Sequence, residues 1–414
     1  LQNRRVAVTG IGLITPLGTG TEKTWQALLD GKSGVGQITQ FDTTGFSVVI
    51  AAEVKDFDAL NWMDKPDVRR MARFIHFAYC ASVLAMESAG MKTGDFDPLR
   101  AGVVIGSGIG GIDNIEKQKE LLLKEGPRKI SPFFVPSQII NMASGFTSIK
   151  LGLKGPNSAV VTACSTGNHA IGDAMNIIRR GDADIMIAGG AEACITPLSV
   201  GGFAIMRAIS ARNHEPEKAS RPFDLNRDGF VIAEGAGILV LEDMERAIKR
   251  GADIKAEIVG YGMTGDAFHI TAPDESGDGP ARVMIATMKD AGISGEDIDY
   301  INAHGTSTPA GDRIETVAIK KAFGERAYKI PVSSTKSMTG HMLGAAGGAE
   351  CAFTILTLIN QIIPPTINLD TPDPECDLDY VPWKPRKAKM KYAISNSFGF
   401  GGTNSCIAFK KHES

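Results

Sequence analysis

The sequence predicts an α/β protein whose largely parallel sheets are covered by helices on both faces. Three observations predict it. Short apolar runs recur along the chain, each ending in a Gly- or Ser-rich turn. Helix-like segments separate them, such as Asp243-Met-Glu-Arg-Ala-Ile-Lys-Arg and Ala281-Arg-Val-Met-Ile-Ala-Thr-Met. The runs also come twice in the same order, which argues for a duplicated βαβ unit.

The first set opens at Arg5-Val-Ala-Val-Thr-Gly and continues at Ala101-Gly-Val-Val-Ile-Gly-Ser-Gly. Ala159-Val-Val-Thr-Ala-Cys-Ser-Thr-Gly and Ala183-Asp-Ile-Met-Ile-Ala-Gly-Gly follow. The second set is Lys255-Ala-Glu-Ile-Val-Gly-Tyr-Gly, Ile298-Asp-Tyr-Ile-Asn-Ala-His-Gly, Pro331-Val-Ser-Ser-Thr-Lys-Ser-Met-Thr-Gly and Tyr392-Ala-Ile-Ser-Asn-Ser-Phe-Gly. A further strand closes each half, at Gly237-Ile-Leu-Val-Leu and at Ser405-Cys-Ile-Ala-Phe. The expected halves are residues 1–252 and 253–414.

Composition bounds the function. With 414 residues, 43% hydrophobic and 22% charged, the chain can bury a large core. A net charge of −3 gives no overall attraction to nucleic acid. Six scattered cysteines lack metal-ligand spacing, and fit a reducing cytoplasm. No signal-peptide pattern precedes the first strand; because the chain opens with Leu1, a removed leader and an organellar matrix stay open. Met342 to Ile363 is almost apolar and as long as a membrane span, but Glu350, Gln361 and its Gly/Ala content make it a close-packed buried helix.

Cysteine 164 carries the strongest chemical signal. An apolar run, expected to be a buried strand, ends at it, and a helix of small and apolar residues follows. A sulfur at that junction faces unpaired N–H groups and the positive helix end, which favours the nucleophilic thiolate. The other five cysteines read as inert. His304, in Asn-Ala-His-Gly-Thr306-Ser-Thr308, follows a strand where α/β sites assemble. Lys336 and His341 flank a turn that leads into the Gly/Ala-rich helix. The loop Phe398-Gly-Phe400-Gly-Gly can bring a backbone N–H close to a ligand. Gly106-Ser-Gly-Ile109-Gly-Gly111 formally matches a dinucleotide fingerprint, yet no acidic strand end follows at the right distance. Nucleotide binding is therefore not expected.

These segments together resemble the β-ketoacyl-acyl-carrier-protein synthases, especially the type II elongating enzymes of fatty-acid synthesis, over essentially the whole chain. The resemblance implies a thiolase-like five-layer αβαβα sandwich, normally a homodimer, acting without cofactor, metal, nucleic acid or membrane. It implies that Cys164 accepts the acyl group and that His304 and His341 act on the malonyl thioester. Lys336 would support that pair, with Glu350 as its partner. Phe400 would be the gating aromatic, its N–H and that of Cys164 forming the oxyanion hole. Thr306, Thr308 and Phe398 would contact substrate, and Ile109 would gate the acyl pocket. An acyl carrier protein, in acyl and malonyl forms, would dock on Arg69, Arg70, Arg128, Lys129 and Arg207. The competing expectations are a polyketide-type ketosynthase and, in another class, a non-catalytic chain-length-factor-like subunit. The cysteine argues against the latter.

Overall fold

The computed structural model describes residues 4–413; Leu1, on which the expectation about a leader rests, lies outside them. In the first half the sheet runs through β1 (Val6–Thr15), β2 (Ala101–Gly106), β3 (Asn157–Ser158), β4 (Ile185–Glu192) and β5 (Gly235–Asp243), with the two-residue strand Gly18–Thr19 paired onto the end of β1. Five more form the second: β6 (Ala256–Gly265), β7 (Ile298–Asn302), β8 (Val332–Ser333), β9 (Tyr392–Gly399) and β10 (Thr403–Lys411).

The spatial order is β3-β2-β4-β5-β1 in the first half and β8-β7-β9-β10-β6 in the second, the same permutation twice. In each half the closing strand, β5 or β10, runs antiparallel to both neighbours, and the other pairs are parallel. The two half-sheets touch edge to edge, where Val6, Ala7 and Val8 of β1 pair antiparallel with Ile258, Glu257 and Ala256 of β6.

Helices complete five layers. α1 (Arg73–Ser88) and α2 (Met142–Leu151) cover the outer face of the first sheet, and α4 (Asp278–Ala291) with α5 (Pro309–Phe323) cover the second. Between the sheets lie α3 (Thr166–Arg179) and α6 (Ala346–Asn360), which touch both. Glycine permits this closeness. A Cβ on Gly237 of β5 would run into the Ala349 backbone of α6, and one on Gly167 of α3 into Gly348. The apolar stretch read as a buried helix is α6, preceded by a short turn at Leu343–Ala345. Of the 18-residue window Leu343–Asn360, which is long and apolar enough to cross a membrane, 89% is buried in the fold.

One expected element is different. The run before Cys164 is not a buried strand: β3 is two exposed residues at the sheet edge, and Val161 is 53% exposed. β3 pairs on one side only, with β2, and the apolar residues Ala159, Val160 and Val161 follow it outside the sheet.

Candidate active site

A strained turn at Ala163 and a glycine-permitted hairpin at Gly401 and Gly402 converge where the halves meet. After β3 the chain tightens into a 3-10 turn, Ala163–Ser165, with Ala163 at φ 50°, and then enters α3. Positive φ at a residue with a Cβ is uncommon and concentrates at functional sites. Arg207 and Leu343, at φ 54° and 45°, line the same cavity as Ala163. The hairpin between β9 and β10 places Phe400 over Cys164, with Gly401 and Gly402 at φ 84° and 68° completing the reversal. The Phe400 N–H lies close enough to the Cys164 sulfur to favour its thiolate, and the Ser397 hydroxyl donates to the Cys164 carbonyl at 2.9 Å.

A cavity of about 620 Å³ opens at this point. Cys164, His304, His341, Phe398, Phe400, Thr306, Thr308 and Ile109 all line it, and Arg207 stands on its wall. The two imidazoles face each other edge-on, with ring centroids 5.4 Å apart at 85°. His304 packs against Phe398 at 5.5 Å and His341 against Phe230 at 5.3 Å. Both nitrogens of His341 and Nδ1 of His304 are buried without a hydrogen-bond partner among the described residues. Such atoms are costly unless a ligand engages them.

Lys336 and Glu350 lie beneath the histidines as a buried ion pair, Nζ to Oε1 2.5 Å. Burial pushes the Glu350 carboxyl up to about 7, against the pull of the Lys336 charge. Burial also holds both histidines well below the usual imidazole range, and Lys336 adds to that effect in each. The rings are therefore neutral at physiological pH. Each can donate one N–H and accept at the other nitrogen.

Burial decides the state of the sulfur too. It pushes the Cys164 thiol up to about 12, although the Lys336 charge and the Phe400 N–H pull it down. The expected thiolate is thus a thiol at rest, because desolvation outweighs the helix end, whose effect is at most about 2 kcal/mol. Cys80, Cys376 and Cys406 are raised to about 12, 11 and 12. Of the six cysteines, Cys164 alone lines the cavity. Access distinguishes it, not acidity.

Thr306 and Thr308 share a hydroxyl hydrogen bond of 3.0 Å, and Thr308 also caps α5 by accepting from the Gly311 N–H. Arg69 and Arg70 lie elsewhere, lining a second, polar pocket of about 580 Å³ with His76, Asp113 and Lys117. The Arg70 guanidinium sits 4.7 Å from the Phe133 ring, which ties this pocket to the segment after Pro127–Lys129. Lys129 there pairs with Glu125 at 3.7 Å.

Two residues that sequence reasoning passed over matter here. Glu315 on α5, buried, accepts from the His304 and Gly305 N–H groups at 2.9 and 2.7 Å and so fixes the His304 turn. Its signal was a second carboxylate one helical turn after Asp312. Glu192 accepts from Gly108 and Ile109, so the glycine loop that mimics a phosphate cradle already holds a carboxylate. Its signal was a lone acid ending a wholly apolar strand.

A family model described as "Beta-ketoacyl synthase, N-terminal domain" matches residues 3–247, and its "C-terminal domain" counterpart matches 255–370. A "3-oxoacyl-[acyl-carrier-protein] synthase 2" of Vibrio harveyi is 54% identical over 412 residues, spanning 99% of each chain. One from Staphylococcus aureus strain N315 is 52% identical, over 100% of this chain and 99% of its own. Among solved structures, a β-ketoacyl synthase from Burkholderia phymatum superposes with a TM-score of 0.92 at 36% identity, covering 99% and 100% of the two chains. A type II polyketide ketosynthase in complex with its acyl-carrier protein gives 0.92 at 38%, covering both chains fully.

Proposed function

The chain belongs to the β-ketoacyl synthase family, and from that premise we propose how its cavity performs the decarboxylative condensation that elongates fatty acids. Cys164 is the acyl-accepting nucleophile. Its sulfur attacks the thioester of an acyl chain on a carrier protein, and the Cys164 and Phe400 N–H groups hold the tetrahedral oxyanion. The step conserves protons: the one Cys164 gives up ends on the departing carrier thiol, and a neutral imidazole in the cavity can relay it.

Malonyl-carrier-protein then enters. Its carboxylate leaves as CO2, and the electron pair of the broken C–C bond moves into an enolate. His304 and His341 donate N–H groups to the enolate oxygen, which neutral rings do without a competing positive charge. The enolate carbon attacks the acyl-Cys164 carbonyl, the C–S bond breaks, and a β-ketoacyl product longer by the two malonyl carbons departs. The sulfur then takes up a proton, as a thiol of high pKa must. The observation that carries this reading is that one sulfur, its N–H donor and two unpartnered neutral imidazoles share a single cavity.

The partner in both half-reactions is an acyl carrier protein, as in the polyketide complex. Carrier proteins are acidic, which suits Arg207 at the cavity and the Arg69, Arg70, Arg128 and Lys129 side chains. The one-sided edge strand β3 with exposed Val161 suits a second copy of the chain, a homodimer. The 54% identity to a 3-oxoacyl-[acyl-carrier-protein] synthase 2, against 38% to the type II polyketide ketosynthase, favours fatty acyl substrates. The test is incubation with acyl-carrier-protein of varied chain length and mass spectrometry of the Cys164 peptide. An adduct that Cys164→Ala abolishes is expected, and an unmodified peptide at every length overturns the reading.

A further inference from the structure

Glu192 is the last residue of β4, after seven apolar or small residues, and is fully buried. No cation pairs with it among the described residues. Four donors hold it instead. Oε1 accepts from the Ser107 hydroxyl at 2.7 Å and the Ile109 N–H at 3.2 Å. Oε2 accepts from the Gly108 N–H at 2.7 Å and the Gly344 N–H at 2.9 Å. Three donors belong to the loop after β2, and the fourth to the turn that follows His341.

Those two segments touch only because neither carries a side chain at the contact. A Cβ on Gly344 would strike the Gly108 nitrogen, and one on Gly108 would lie 2.9 Å from Glu192 Oε2. Beside the contact, Ile109 on one segment and Leu343 on the other line the cavity at Cys164. A buried carboxylate without a counter-charge persists when several N–H groups are aimed at it. Here they come from both walls of the reaction chamber.

We propose that Glu192 is a positioning residue that locks the Ile109 wall of the cavity to the His341 turn and thereby sets which acyl chains reach Cys164. The proposal rests on the condensation reading given above. With the lock closed, only the Ile109 side chain can yield to an incoming chain. With it open, the backbone of the Gly108–Ile109 loop yields as well, and discrimination between chain lengths is lost.

Glu192→Gln tests this, because its NH2 group must face at least one backbone N–H whichever way the amide turns. Ser107→Ala is the milder variant, removing one donor and keeping the carboxylate. Two readouts are taken: hydrogen exchange at the Gly108, Ile109 and Gly344 amides, and the ratio of long- to short-chain transfer onto Cys164. We expect exchange at those amides to rise at least about tenfold in Glu192→Gln, with the strands unchanged, as loss of a charge-assisted hydrogen bond implies. The chain-length ratio should flatten by about tenfold, and less in Ser107→Ala. An unchanged ratio in both variants overturns the proposal, and so does an equal loss at every length, which marks a general scaffold. Should Glu192→Gln not fold, Ser107→Ala decides by the same two readouts. If the parent protein accepts no acyl chain, the condensation reading fails, while the exchange data still judge the lock.

Discussion

The Lys336 ammonium lies 2.5 Å from a Glu350 carboxylate oxygen, and each side chain is 1% exposed. Its charge is also the largest electrostatic influence, after burial, holding His304 and His341 neutral. Lys336→Met should therefore let the imidazoles take up protons at higher pH. The acid limb of malonyl decarboxylation, followed by CO2 release, is expected to move upward in pH. An acid limb at the parent position would show that Lys336 does not tune the rings. The same variant leaves Glu350 buried and alone, a loss of about 3–5 kcal/mol if the carboxylate stays charged. Adding Glu350→Gln should restore most of the stability without returning the pH profile.

Gly399 is where the hairpin meets the nucleophile turn. A Cβ there would lie 2.7 Å from both the Thr162 carbonyl oxygen and the Thr403 hydroxyl. Gly399→Ala must push the hairpin away and take the Phe400 N–H off the sulfur. Acyl transfer to Cys164 is expected to fall about 10²–10³-fold, the usual loss for one oxyanion donor. Decarboxylation, which depends on the histidines, should fall much less. Equal loss in the two half-reactions would place the Phe400 N–H outside the acylation step.

Much of the fold was legible because the repeated landmarks, apart from the run before Cys164, are strands, and the two halves order theirs in one permutation. The antiparallel course of β5 and β10 was not legible, since apolar runs carry no direction. Cys164, His304 and His341 were legible as motif residues at strand-end turns, and all three reach one cavity. The protonation state of Cys164 was not. A local pattern sees the helix end, whereas burial depends on Phe400 and the other half of the chain. Glu315 and Glu192 escaped notice because their roles lie in N–H groups that arrive from other segments.

The two cavity threonines separate binding from structure. Thr308 caps α5 through the Gly311 N–H at 3.2 Å, whereas Thr306 makes no cap. Thr308→Val should cost about 1 kcal/mol of stability, the usual value of an N-cap. Thr306→Val should raise KM for the carrier-bound substrate with little change in Tm. A Thr306→Val protein with parent KM would remove that hydroxyl from substrate binding.

His76 gives a pH dependence remote from the chemistry. Burial and the neighbouring Arg73 charge lower its pKa from 6.5 to about 4, opposed by the nearby Val68 and Met71 carbonyls and by the Asp113 carboxylate. The unfolded chain therefore binds this proton first as pH falls. Its contribution to stability is complete above about 6.5 and is lost as pH drops through about 4. Asp312 and Glu350, raised to about 7 by burial, act in the opposite sense, since the folded state takes up their protons first. Comparing the parent with His76→Gln cancels those carboxylates, along with His169, whose ring burial lowers to about 4 in the same way. The variant should gain on the parent by on the order of 2 kcal/mol between neutral pH and pH about 4, read from denaturant unfolding at each pH. Parallel stability curves would mean that His76 takes up its proton at the same pH in the folded and unfolded protein, with Asp113 and the carbonyls offsetting burial.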